Sequence, residues 1–276
     1  MFSLNCKGKL LFINKPLVMG ILNITKDSFY PESRLQNIDA VKKKADLMIS
    51  EGVDILDIGA QSTRPGSKRL SAKEELIKLL PAIETLIHDY LEIIISVDTY
   101  QAQVAKECIQ AGAAIINDIS GGEMDKEMIP TVAEFKVPFV CMHIKGVPET
   151  MQDDTTYEEL TKDVLDFFIQ KIYECKQAGI RDVIIDPGFG FGKNLYQNLQ
   201  LLKNLATFKM LGKPIMTGVS RKSTIYKTLG ITAEEALNGT TVLNTIALLN
   251  GSSIIRVHDV KEAKEALALL DAYNES

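Results

Sequence analysis

Short apolar runs rich in Ile and Val recur eight times along the chain, each followed by a stretch of helix length. This alternation narrows the fold more than any other feature. The runs are Leu17 to Asn23, Ile55 to Gly59, Ile93 to Asp98, Ile115 to Asp118, Phe139 to Met142, Val183 to Asp186, Pro214 to Gly218 and Ile254 to Arg256. The helical stretches are Ala40 to Ser50, Ala72 to Asp89, Ala102 to Ala111, Lys126 to Phe135, Leu160 to Ala178, Leu195 to Leu205, Ala233 to Asn250 and Val260 to Tyr273. In the first of these, Val41, Ala45, Met48 and Ile49 share one face at the helical repeat. Eight units of about 33 residues each predict an α/β fold, a (β/α)8 TIM barrel, with residues 1–276 as one domain. An open doubly wound sheet is the structural alternative. Lys9 to Ile13 reads as a short N-terminal extended segment, a lid or plug at one end.

The bulk properties agree with a large soluble core. Of 276 residues, 46% are apolar and 24% charged, and the net charge of −5 leaves no basic footprint for nucleic acid or a membrane surface. Ile93-Ile94-Ile95 and similar runs are far too short to span a bilayer. Met1 to Cys6 lacks the charged and apolar regions of a signal peptide. Cys6, Cys108, Cys141 and Cys175 form no CxxC pair and read as reduced core thiols of a cytoplasmic protein.

A barrel of this type carries its chemistry at the C-terminal ends of its strands. The polar and glycine-rich clusters do follow the apolar runs: Asn23, Gly59 to Gly66, Asp98, Asn117-Asp118, Met142-His143, Asp186, Ser220 to Ser223 and Arg256 to His258. Helix-to-strand connections such as Lys136-Val137-Pro138 carry nothing comparable.

Asp186 ends a β-branched run and enters Pro187-Gly188-Phe189-Gly190-Phe191-Gly192-Lys193, where proline fixes one angle and glycines open others. A buried carboxylate there needs a heterocycle edge, an Arg or a metal as partner; a helix N-cap in a turn is the plainer reading. Asp98, Asn117 and Asp186 arrive from three strands with Lys222 opposite, a set suited to a planar polar heterocycle. A structural Asp98–Lys222 ion pair is the alternative. Arg256 and His258 after the last strand, with Arg64 in the second loop, suit phosphate, and Asn23 offers a carbonyl oxygen to Mg2+ beside phosphate oxygens. His88 and His143 lack companions at zinc-ligand spacing. Asn23 to Asn37 and Gly59 to Ser71 read as long substrate-closing loops, with simple surface loops as the alternative.

Taken together, these stretches resemble the dihydropteroate synthase family of folate biosynthesis. The resemblance is carried by Met19-Gly20-Ile21-Leu22-Asn23-Ile24-Thr25 with Asp27-Ser28-Phe29, by Asp57-Ile58-Gly59 with Ser62-Thr63-Arg64-Pro65-Gly66, and by Ser96-Val97-Asp98-Thr99. It continues through Ile116 to Gly122, Met142-His143, Asp186 to Lys193, Ser220 to Ser223 and Arg256 to Val260, in the family's order.

The resemblance implies Mg-assisted, SN1-like condensation of 6-hydroxymethyl-7,8-dihydropterin diphosphate with p-aminobenzoate. It implies a pterin site of Asp98, Asn117, Met142, Asp186, Phe191, Gly218 and Lys222, with Asp98, Lys222 and Arg256 acting in catalysis. By the same likeness Asn23, Thr63, Arg64, Arg256 and His258 hold diphosphate, with Asn23 on the metal. Phe29, Thr63, Pro65, Lys222 and Ser223 then receive p-aminobenzoate. A homodimer and sensitivity to sulfonamides are further implications. The first loop departs from the family pattern: Lys26 stands where Pro is usual, and Pro31-Glu32-Ser33-Arg34 replaces Asp-Gly-Gly. A methyltransferase acting on methyltetrahydrofolate, or a barrel that binds pterin without turnover, remain as alternatives.

Overall fold

The computed structural model describes residues 1–24, 34–61 and 69–276, with residues 34–37 as backbone only. The chain opens with a hairpin, β1 (Phe2–Cys6) against β2 (Lys9–Ile13), turning through Lys7 and Gly8 at φ of 54° and 90°. Two successive left-handed residues give the turn a twist that matches paired strands. The sequence had shown only the second strand as an extended piece.

Eight parallel strands follow: β3 (Leu17–Asn23), β4 (Ile55–Gly59), β5 (Ile94–Asp98), β6 (Ile115–Asp118), β7 (Phe139–Met142), β8 (Val183–Asp186), β9 (Met216–Thr217) and β10 (Ile254–Val257). Their order is β8-β7-β6-β5-β4-β3-β10-β9. The ring closes where Ile185 bridges Ile215, its N–H donating to the Pro214 carbonyl at 3.0 Å. The sheet is therefore a barrel and not an open doubly wound sheet.

The helices are α1 (Arg34–Ser50), α2 (Ala72–Asp89), α3 (Ala102–Gln110), α4 (Met128–Phe135), α5 (Leu160–Ala178), α6 (Leu195–Lys203), α7 (Ser223–Leu229), α8 (Leu237–Leu249) and α9 (Val260–Glu275). Beyond shifts of a few residues at the ends of α4, α6, α8 and β9, two points differ from the sequence reading. α1 begins at Arg34, inside the stretch read as loop, and α7 is an extra helix between β9 and α8. Among the described residues no helix is long and apolar enough to cross a membrane.

The strand period of two sets what lies inside. Met19, Ile55, Ile94, Ile115, Val140, Ile184, Met216 and Ile254, one from each barrel strand, form a single buried apolar layer with Leu4, Cys6 and Ile13 of the hairpin. The hairpin thus plugs the N-terminal end. The intervening residues, among them Leu56, Ile58, Val97, Ile116, Cys141 and Ile185, belong to the outer core under the helices. Two residues further along each strand the inward positions become Ile21, Asp57, Ser96, Asn117, Met142, Asp186, Gly218 and Arg256. One step along the pleat turns a greasy floor into a polar one.

Candidate active site

The polar layer is knitted around Arg256. Its Nε donates to Asp57 Oδ2 at 2.6 Å and its Nη2 to Asp98 Oδ2 at 2.7 Å. Asn117 Nδ2 donates to the same Asp57 oxygen at 3.0 Å. Burial disfavours the guanidinium's charge, but Asp57 and Asp98 more than offset it and hold the pKa above its ordinary value. Asp98 moves the other way. Burial pushes it up to about 7 against the pull of Arg256, and Asp57 adds to the rise. The expected alternative, an Asp98–Lys222 ion pair, does not form: Asp98 pairs with Arg256.

Asp57 was not singled out from the sequence. Its signal was there, a carboxylate in the middle of an otherwise apolar run, where only a buried partner makes it affordable. It is fully buried, and among the described residues its Oδ1 has no hydrogen-bond partner, while Oδ2 is held by Arg256 and Asn117.

Across the layer, Asp186 ends β8 with 5% exposure and its Oδ1 accepts from Gly188 N at 2.8 Å. Burial raises its pKa, while the Lys222 charge draws it back down. Lys222 immediately precedes α7, half-buried, in extended conformation after Arg221 at φ 53°. Its Nζ donates to the Phe189 carbonyl and sits 4.5 Å from the centroid of the Phe191 ring. Burial pulls Lys222 down to about 8, against the field of Asp186. A side chain on Gly218 would point between Arg256 and Lys222, 3.9 Å from each, so glycine keeps that space open. Met142 and Phe191 join one apolar cluster with Tyr100 and Ile119 and form the non-polar wall of the cup.

The glycine turn after Asp186 is bent as the sequence suggested, with Gly188, Gly190 and Gly192 at φ of 72°, 81° and 61°. A Cβ on Gly188 would meet the His143 carbonyl oxygen at 1.9 Å, so only glycine fits there.

Beyond the ends of β9 and β10, His258 Nδ1 lies 2.9 Å from Ser220 Oγ, and Ser220 Oγ accepts from His258 N at 3.2 Å. Burial and the Arg256 charge lower His258 to about 4, so it meets a guest as a neutral donor. Arg221 locks the two loops together through Asp259, by Nε at 2.9 Å and Nη2 at 2.7 Å. Ser223 opens α7 beside Lys222. Asn23 ends β3, exposed, level with Gly59 and Asp98 in adjacent strands. A Cβ on Gly59 would lie 3.6 Å from both Asn23 Oδ1 and Asp98 Oδ2.

Asp98, Asn117, Met142, Asp186, Phe191, Gly218, Lys222, Arg256, His258, Asn23 and Ser223 therefore share one rim. Phe29, Thr63, Arg64 and Pro65, and the atypical Lys26 and Pro31 to Ser33, lie outside the described residues.

A flat apolar wall, an acid at one edge, an acid–amide pair at another and a cationic flank make a receptacle for a polar bicycle with an anionic tail. Comparison with known proteins points to a pterin as well. The family described as pterin binding enzyme matches residues 19–258. The dihydropteroate synthase of Escherichia coli strain K12 is 41% identical over 272 residues, covering 98% of this chain and 96% of its own. The Yersinia pestis dihydropteroate synthase in a sulfonamide drug complex superposes with a TM-score of 0.93 at 38% identity, over the full length of both chains. The Xanthomonas albilineans enzyme with 4-aminobenzoic acid gives 0.92 at 35% identity, covering 99% of this chain and 98% of that one. With the barrel, the rim and near full-length relatives in agreement, the chain belongs to the dihydropteroate synthase family of pterin-binding enzymes.

Proposed function

We propose that the cup takes 6-hydroxymethyl-7,8-dihydropterin diphosphate and passes its pterinylmethyl group to p-aminobenzoate, giving 7,8-dihydropteroate and diphosphate. The carrying observation is that Asp57, Asp98, Asn117 and Arg256 are hydrogen-bonded together at the end of the barrel where Asp186 and Lys222 face each other's charge. Asp186 accepts from the donor edge of the pterin, N3–H and the 2-amino group. Asn117 and Asp98 face the opposite edge, and Lys222 donates to O4 and N5.

In the reaction the methylene C–O bond breaks first and its electron pair leaves with diphosphate. The cation left behind is spread over the electron-rich ring and faces the Asp98 carboxylate. The arylamine lone pair then forms the C–N bond, and the nitrogen gives up a proton to water. An arylamine is unprotonated near neutral pH, so the site needs no strong base. Arg256 and neutral His258 receive the charge building on the leaving group.

Mg2+ fits this set. Asn23 supplies a hard carbonyl oxygen at the rim, and among the described residues no group of three His, Cys, Asp or Glu forms a protein cage. That suits an ion carried mainly by phosphate oxygens. Bound there, it would neutralise charge on the departing diphosphate.

Lys222→Ala should lower kcat by about 100-fold or more, by analogy with loss of one charge-stabilising donor. The thermal midpoint should hold, because burial already disfavours the ammonium it removes. Diphosphate release on adding p-aminobenzoate measures it; unchanged kinetics would remove Lys222 from the reaction.

Four buried free thiols suit a reducing compartment, which supports a cytoplasmic location. Exposed Leu229 on α7 with Val242, Ile246 and Leu249 on α8 supports a homodimer through these neighbouring helices. Sedimentation as a monomer would refute the dimer.

A further inference from the structure

The glycine turn carries three of the groups that face a pterin: Asp186 at its start, the Phe189 carbonyl that holds Lys222, and the Phe191 ring. Its backbone makes one bond within the turn, from Phe191 N to the Gly188 carbonyl at 3.1 Å. With three glycines in left-handed conformation, it cannot keep this shape by itself.

Side chains from elsewhere hold the Gly190 and Gly192 groups. Gln152 Nε2 donates to Gly190 O at 3.1 Å and Tyr157 Oη to Gly192 O at 2.9 Å. Asn198 Oδ1 accepts from Gly190 N at 2.6 Å. The Gly188 and Phe191 carbonyls turn inward, and both meet the same atom, Lys193 Nζ, each at 3.0 Å. The third neighbour of that nitrogen is His143 Nδ1 at 2.9 Å, with the His143 carbonyl at a longer 3.4 Å.

Lys193 is 2% exposed, and lysine is seldom buried this far without a task. Burial pulls Lys193 down to about 7 against the field of Asp186; in its protonated form it has three N–H groups, and three acceptors are in place for them. His143 stays neutral, through burial and the Lys193 charge, and so can accept; it packs edge-on against Phe167 at 4.9 Å and beside Tyr157 at 6.1 Å.

We propose that Lys193 is a positioning residue for pterin binding: its Nζ, seated on the Gly188 and Phe191 carbonyls and His143, fixes the turn that aims Asp186, Phe191 and Lys222 at the substrate. Lys193 touches no reacting atom. Without it the two carbonyls lose their shared donor, and the turn relaxes toward conformations that splay the Phe191 ring from the Asp186 edge. Lys193 acts at the pterin end of the cup only, since the anion side rests on Arg256, His258 and the Arg221–Asp259 lock.

The role presupposes, as proposed above, that a pterin fills the cup, so the test uses one. Isothermal titration of wild type and Lys193→Met with 6-hydroxymethyl-7,8-dihydropterin diphosphate, far below the melting range, reads the affinity. A weakening of about 10- to 100-fold is expected, the range that misplacement of a positioned group produces. Steady-state kinetics should show the pterin KM rising with the p-aminobenzoate KM changed far less, a split that general loosening of the barrel would not give. His143→Phe, which removes one of the three acceptors, should shift pterin affinity the same way by a smaller factor. It decides the question if Lys193→Met does not fold. Unchanged pterin affinity in a folded Lys193→Met, or in His143→Phe should that variant stand in, overturns the role of Lys193 alone. Failure of the wild-type protein to take up the pterin overturns the substrate reading and this one with it.

Discussion

Asp186→Asn should cost pterin affinity up to about 10⁴-fold while leaving the barrel at least as stable as wild type. The two effects have one origin. Asp186 is buried and spends Oδ1 on Gly188 N, so its remaining acceptor capacity serves the guest. An amide sets an N–H₂ against a donor edge or loses the Gly188 bond, and either choice leaves a buried polar group unpaired. Stability responds with the opposite sign. Burial raises the Asp186 pKa above its ordinary value, so the folded protein holds this proton more tightly than the unfolded chain does. In the window between the two pKa values stability falls as pH rises, and a neutral amide removes that cost. Calorimetric titration with the pterin and thermal melts of both proteins measure it. Affinity within a few-fold of wild type would take Asp186 out of the site.

Arg256→Leu should destabilise the protein by about 3–5 kcal/mol, the usual cost of stripping the partner from a buried charge. Here two carboxylates lose the same cation. Asp57 is fully buried, and Asp98 is already driven up to about 7 by burial, with Asp57 adding to the rise. With Arg256 gone Asp98 becomes harder still to ionise, and its folded-state pKa rises further above the unfolded one. The variant's deficit should therefore shrink as pH is lowered from about 8 to about 5, since protonation relieves it. Chemical denaturation across that range gives the curve. A deficit below about 1 kcal/mol, flat with pH, would mean that Arg256 is no more than a surface-grade ion pair. Turnover should fall with it, because the proposed anion flank loses its guanidinium charge.

These effects could be drawn in large part from the residue order. β6, β7 and β8, and α2 and α5, fall on the residues expected of them, because an apolar run bounded by polar residues and a long helical face are both local signals. α7 was missed since Ser223-Thr224-Ile225-Tyr226-Lys227-Thr228-Leu229 is short and rich in residues of modest helix propensity. β1 was missed because its evidence is its partner, β2, across a turn too small to mark itself. In the site, Asp98, Asn117, Asp186 and Arg256 stood out as polar residues at or near the ends of apolar runs. Asp57, set in mid-run, and Lys193, which looks like any lysine beside a turn, did not. Their burial depends on Arg256, 199 residues away, and on His143, 50 residues away. No local pattern encodes such distances.

The seam between β10 and β3 has a consequence for biosynthesis. Of the barrel strands β10 is synthesised last, and it pairs with the first strand of the ring. A nascent chain carrying every earlier strand still presents the bare backbone edge of β3, and its Asp57 waits for a counterion that has not been translated. Such an edge invites pairing with other unfinished chains. The architecture thus makes closure of the ring and completion of its charged centre one event, and a chain cut short before β10 forfeits both together.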